Sequence, residues 1–370
     1  MRDQALRDEQ DLVESMRGGS LSASEELLRR YSEQNDRTHD AVNVCLRLAK
    51  SRAGDAEVLE RLVDAAVRDD DSVLVMALRH VQRIFTDSQR APMAPPLANQ
   101  PIVPDGLLKV VCGDTEPVLE VLSLVLQSLP QLLRRPANID QSTRIVSPES
   151  LMPLGQLTAM VTRLFGARVP VLHRDGPRPV QFHVFVDPVP KLLVEGPDLA
   201  DTPEFRFHFG GMVLATRPEF ALMLALPEDE VRALLDAVLL AFGPPGRVHA
   251  SAANVASLAQ RLWESGPHAQ RRMAELAARP EAIDYRVAWI ATLRAMRRAG
   301  LFVSGDLGVA ARQVCADEGL DYAQLSQPHG LKALCDHSPA LADIVRFAIS
   351  REYANARWRP ARAGSSIGER

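Results

Sequence analysis

The sequence predicts a predominantly helical α+β protein: an N-terminal helical-repeat segment followed by a domain that carries a small sheet. Three observations predict it. Apolar residues recur at helical spacing through most of the 370 residues. One stretch, 169–195, instead reads as short strands rich in valine and phenylalanine and broken by a Gly-Pro turn. A proline-rich run, 91–104, and a second stretch bounded by Pro136 and Pro148 interrupt the helical pattern and mark connectors.

The first third reads as helices in succession. Ser22-x-x-Glu25 has the form of a capping box, with Leu21 placed to staple onto the helix. Asp55 caps a helix that carries Val58, Leu59, Leu62, Val63 and Ala66 at helical spacing. Asp71 or Ser72 starts another, with Val75, Leu78, Val81 and Phe85 on one stripe. Starts near 22, 38, 55 and 72 lie about 17 residues apart, so two helices occupy about 34, the period of tetratricopeptide hairpins. The Trp, Gly and Tyr positions of that repeat are missing, and an irregular, tetratricopeptide-like scaffold is expected. Beyond the first connector, helices are expected at 107–111 and 117–129, the latter with Pro117 in its first turn and Pro130 at its end. The expected division is a helical scaffold over 1–135, a linker over 136–150, a second domain over 151–356 and a flexible tail over 357–370, with Trp358 anchoring back onto the domain.

In the second half a helix is expected over 151–165. Residues 169–173 and 180–186, joined by a turn at Asp175-Gly176-Pro177, read as a β-hairpin, with Gln181, His183 and Phe185 on one face and Phe182, Val184 and Val186 on the other. A short strand at 192–195 follows. Helices are then expected at 204–216, 228–242, 252–264, 268–278, 285–299 and 307–317, with Gly300 and Gly305 as punctuation and Asp306 as the last cap.

Composition narrows the function classes. The net charge of −4 supplies no global field for nucleic acid or for an anionic membrane, and only four of the 43 basic residues are lysine. The N-terminus is charged at once, unlike a signal peptide, and no apolar run approaches the roughly 18 residues of a membrane span. Four cysteines without a CxxC pair suit a reducing compartment, so a cytoplasmic protein is expected. There is no Gly-x-Ser-x-Gly elbow and no Walker or dinucleotide glycine pattern. No cofactor is expected.

One motif order stands out. Glu204-Phe205-Arg206-Phe207-His208-Phe209-Gly210 is followed by Gly211-Met212-Val213-Leu214-Ala215, and far downstream comes Leu293 to Leu301, ending Arg298-Ala299-Gly300-Leu301. With its helix, short strands, acidic-headed helix and long helical excursion, the region 151–317 resembles the catalytic core of zinc metallopeptidases of the M48 type. It is similar, more closely, to the C-terminal region of certain large bacterial tetratricopeptide-repeat proteins. The resemblance implies a zincin-like fold. In that family the active helix begins Glu-Leu-x-Phe-x-x-Gly and continues into His-Glu-x-x-His. Two histidines at i and i+4 present nitrogens to a tetrahedral zinc, and the glutamate between them takes a proton from the zinc-bound water. The histidine positions here are Gly211 and Ala215, the base position is Met212, and the third-ligand position is Leu293. The metal ligands and the base are absent, and a pseudoenzyme is expected.

Other constellations read as ordinary structure. Glu204 and His208, spaced i,i+4, supply at most two ligands and read as a pair closing a helix turn. Cys315, His329, Cys335 and His337 lack zinc-finger spacing. Arg271, Arg272, Arg294, Arg297 and Arg298 read as a solvated helix surface, since no aromatic residues interleave them as in single-strand binding. The expected function is therefore non-catalytic protein interaction or scaffolding, with a protein partner and neither nucleic acid nor membrane. The alternatives are an enzyme, hydrolase or transferase, using an unrecognised pocket, and a regulator that pairs with an active metallopeptidase.

Overall fold

Helices dominate the computed structural model, which describes residues 2–86, 94–97, 104–135, 139, 141–167, 169–176, 179–197, 201–245, 253–327 and 329–359. Among these are eighteen α-helices and one four-stranded mixed sheet, so the chain is a predominantly helical α+β protein. It divides into two compact units, one of residues 1–101 with 305–370 and the other of residues 102–304.

The first unit opens with α1 (Arg2–Arg17), α2 (Leu21–Ser32), α3 (Thr38–Ser51), α4 (Ala56–Arg68) and α5 (Ser72–Thr86), each packed on the next. The Asp55 carboxylate accepts from the amides of Glu57 and Val58, as its N-cap position requires. Ser20, two residues before the expected capping box, is the cap of α2 and accepts from the Ala23 amide at 3.2 Å. Leu21 lies inside that helix and is exposed, so the staple does not form. The shared core of these helices holds Leu27, Leu62, Leu74 and Leu78, all essentially closed to solvent. The side chain of Phe85 lies outside the description.

The second unit starts with α6 (Pro104–Cys112) and α7 (Pro117–Ser128). Pro117 takes the first turn of α7, where its missing N–H costs nothing. This helix is apolar almost all round, with Val118, Leu119, Val121, Leu122, Val125 and Leu126 buried. After it come β1 (Arg144–Ile145), α8 (Pro153–Leu164), β2 (Val171–Arg174), β3 (Gln181–Val186) and β4 (Pro190–Glu195). The strand order is β1-β2-β4-β3. The expected hairpin of 169–173 with 180–186 therefore does not form. β3 pairs antiparallel with β4, and β4 lies parallel to β2, from Val171 opposite Leu192 to Arg174 opposite Glu195.

The reason lies in the tight 187–189 turn. The Asp187 amide donates to the Val189 carbonyl at 3.0 Å, and its carboxylate is held by Arg134 at 2.5 Å and Lys191 at 3.5 Å. Leu192, Leu193 and Val194 are buried on both faces, as a central strand requires. The expected alternation along β3 survives only at its exposed start, because Val184, Phe185 and Val186 are all buried, Phe185 in a cluster with Leu172 and Leu193.

The unit continues with α9 (Pro203–Ala215), α10 (Pro218–Ala225), α11 (Glu228–Phe242), α12 (Ala253–Trp263), α13 (Pro267–Ala277) and α14 (Tyr285–Ser304). Gly300 does not end α14, which runs four residues further. α7 packs on α10, α13 and α14, so helices on both sides of the expected 136–150 linker share one interior. The expected division at 136–150 thus falls inside the second unit, and residues 144–145 of that stretch form the edge strand β1.

The chain then returns to the first unit. α15 (Leu307–Asp317), α16 (Gly330–His337), α17 (Pro339–Ala348) and α18 (Arg351–Arg357) follow, with Asp306 capping α15 through the Val309 amide at 3.0 Å. α15, α17 and α18 pack on α5. Lys332 pairs with Asp55 at 3.2 Å, and Arg351 lies 3.4 Å from Asp69 and 3.5 Å from Asp71. Trp358 is buried, its ring centroid 5.2 Å from that of His80. The C-terminal helices, expected to complete the second domain, thus complete the first unit instead. No helix among the described residues is long and apolar enough to cross a membrane.

Candidate functional site

The positions singled out by the motif order lie along the packed pair α9 and α14. α9 begins at the cap Thr202, whose hydroxyl accepts from the Phe205 amide at 3.1 Å. Phe207, Phe209, Gly210, Gly211, Val213, Leu214 and Ala215 are all buried, so the helix is enclosed over most of its circumference. The two helices pack closely: Gly300 lies against Phe207, Val303 against Gly210 and Met296 against Gly211. A Cβ at Gly211 would sit 2.9 Å from the Met296 carbonyl oxygen, and one at Gly210 would sit 2.7 Å from the Val303 side chain. Glycine is what lets the backbones approach so closely.

A zincin-type metal centre does not fit these residues. Gly211 faces the α14 backbone with no room for even a methyl group, and Ala215 is fully buried. Met212 and Leu293 are half-buried and offer a thioether and a methyl-terminated chain where a carboxylate base and an oxygen ligand are needed. His208 stacks on Phe182, with ring centroids 6.2 Å apart, in a row of rings that includes Phe205 and Phe209.

The adjacent face of α14 lines a cavity of about 400 Å³. Its other walls are the last turn of α6, the 113–116 loop, the first turn of α7 and the first turn of α10. Two ion pairs edge it. Arg217, the N-cap residue of α10, donates to the Phe165 carbonyl at 3.0 Å and to Glu219 Oε1 at 3.2 Å. Arg294 reaches Glu116 Oε1 at 3.3 Å. Each pair leaves one atom closed to solvent and without a hydrogen-bond partner among the described residues, Glu219 Oε2 in one and Arg294 Nε in the other. Such groups cost about 1–3 kcal/mol apiece when nothing satisfies them. Burial pushes the Cys112 thiol on the α6 wall up to about 11, against the opposing pull of Arg217.

None of Gly211, Met212, Ala215 and Leu293 lines this cavity. Arg294 was visible in the sequence only as one of an arginine stripe. Two of its five arginines meet carboxylates: Arg272 makes two hydrogen bonds to Glu120, at 2.6 and 2.9 Å, and Arg294 one to Glu116 at 3.3 Å. The sequence pattern does not single out Glu116, Arg217 or Glu219. Their one local signal is a charged residue just before or after Pro117 or Pro218 at a helix start, and nothing local says that these two starts meet. Cys315 and Cys335 are buried, the His337 ring nitrogen lies 2.7 Å from the Ala333 carbonyl, and His329 precedes α16 in a left-handed conformation. Among the described residues no group of three or more His, Cys, Asp or Glu side chains is arranged to hold a metal ion.

Comparison with protein-family models, with curated proteins and with solved structures finds no match to this chain.

Proposed function

We infer that this chain is a non-catalytic protein-interaction or scaffolding protein whose second unit derives from a metallopeptidase-like fold. The observation that carries this reading is the seam at Gly211. The first histidine position of the resembled motif faces α14, the helix that also carries the third-ligand position Leu293. The space beside Gly211 is taken by the Met296 carbonyl, 2.9 Å from where a Cβ at residue 211 would lie. Metal chemistry at that seam would need the helices to part, and the seam instead serves packing. The successive helices α1–α5, each packed on the next, are the kind of array on which extended partners bind.

The test is a paired one on the full chain. A stoichiometric protein partner that co-purifies and resists salt supports the reading. Turnover in a broad hydrolase and transferase substrate screen, with no such partner, refutes it.

A further inference from the structure

The chain passes between the two units twice, after residue 101 and after residue 304. Units joined by chain crossings move relative to each other by default, unless a large apolar interface holds them. The roots of both crossings lie side by side in the first unit. Residues 94–97 lead towards the first crossing, and Leu97 is buried. Gly305 opens the return, directly before Asp306 caps α15. A Cβ on Gly305 would lie 2.6 Å from the Ala94 Cβ, so the two stretches touch there with no room for a further side chain. Gly305 also holds φ at +66°, a conformation that glycine adopts without penalty.

One guanidinium reaches both roots. Arg357, in the last turn of α18, is 2% exposed. Its Nη1 donates to the Pro95 carbonyl at 2.5 Å, and its Nη2 lies 2.7 Å from where a Cβ on Gly305 would be. α18 itself is firmly seated. Tyr353 and Trp358 are buried, Trp358 against His80 of α5, and Arg351 meets Asp69 and Asp71. Burying a guanidinium is unfavourable unless polar groups receive it, so an apolar side chain would serve packing alone at least as well. A rigid planar fork, in contrast, lies against two adjacent stretches of backbone at once.

We propose that Arg357 is a clasp on the two crossings: it pins the 94–97 stretch to Gly305 and so limits how freely the second unit moves against the first. The C-terminal helix is then a conformational control, since whatever draws α18 from its seat on α5 and α17 loosens both crossings together. Every contact of the clasp lies within the first unit, so it acts through the crossings themselves.

The test is single-molecule energy transfer on the full chain, with one dye in each unit. Val67→Cys and Ile290→Cys carry the dyes, since both positions are exposed, in a Cys112→Ser background; the other three cysteines are buried. The intact clasp gives one narrow distribution of transfer efficiency. Arg357→Met, which keeps the stem and removes the fork, widens it about twofold or more, as units free to move would. Arg357→Lys, which keeps the charge and loses the fork, widens it too. Arg346→Met is the control: Arg346 also donates to a carbonyl of the first unit, that of Lys50 at 2.7 Å, but between α17 and α3 rather than at a crossing, and its loss leaves the width unchanged. Melting curves establish which variants are folded, and Arg357→Lys carries the test where Arg357→Met does not fold. A broad distribution with the clasp intact overturns the proposal, as does an unchanged width in a folded Arg357 variant. Equal widening by Arg346→Met, or loss of the fold in both Arg357 variants, makes the guanidinium a part of the core and overturns it as well.

Discussion

Replacing Gly300 by alanine tests the closeness of the α9–α14 seam with a single methyl group. A Cβ on Gly300 would sit 2.5 Å from the Phe207 carbonyl oxygen, 2.8 Å from the Phe207 Cδ2 and 3.0 Å from its Cε2. An ordinary C···O contact is about 3.3 Å, so about 0.8 Å must be found. The Phe207 ring can turn, but the carbonyl belongs to the α9 backbone and moves only if the helices separate. Overpacking of this kind costs about 1–3 kcal/mol, and a backbone clash belongs at the upper end. Against it stands the gain of about 1 kcal/mol when alanine replaces glycine inside a helix. The balance is a loss of about 1–2 kcal/mol. For a unit of roughly 200 residues that lowers Tm by about 2–8 °C. Differential scanning calorimetry of the full chain measures it. A Tm that stays level or rises would mean that only helix propensity has changed, that the seam has room, and that the steric argument at Gly211 fails with it.

Three further outcomes are expected. Restoring the motif with Gly211→His, Met212→Glu and Ala215→His destabilises the chain by about 3 kcal/mol or more, because two imidazoles enter filled space; it yields no peptidase activity with added zinc, and a native-like melt of this variant would count against the packed face. A fragment of residues 102–304 melts cooperatively on its own, whereas 151–356, which omits α6 and α7 and includes helices of the other unit, does not; the reverse result would restore the division at 136–150. Burial, with a hydrogen bond to Glu9, pushes the Tyr31 phenol up to about 12, and burial does the same for Tyr353, from an ordinary value of 10.0. Both phenols hold their protons more firmly folded than unfolded, so the stability they contribute is full below pH 10 and is lost as pH rises towards 12. Chemical denaturation across that window measures the decline, and native far-UV dichroism with all four tyrosines already ionised near pH 10 would contradict it.

Local chemistry made much of the helical content legible in the sequence. Asp55 and Asp306 cap the helices they were expected to cap, Pro117 opens α7, and the limits of α11 and α15 coincide with those read from periodicity. α1, α10 and the helices after α15 were not foreseen one by one. Where the reading failed, partners distant in sequence decide. Ser20 and Ser22 are both able to cap, and the helix starts from Ser20, which leaves Leu21 exposed in its first turn. Strand periodicity says that 171–174 and 181–186 are extended, but not that β4 will lie between them. Gly300 looks like a helix end by composition, and is in fact the point where α9 presses on α14. The cavity was beyond local reading altogether, since its charges come from three helix ends and the middle of a fourth helix.

In the proposed function the seam between α9 and α14 serves packing and not metal chemistry. Elemental analysis of the purified full chain, with a peptidase assay before and after a chelator, tests it most directly. The expected result is zinc well below one equivalent and no activity that a chelator removes. Stoichiometric zinc, lost to the chelator together with peptidase activity, would contradict it.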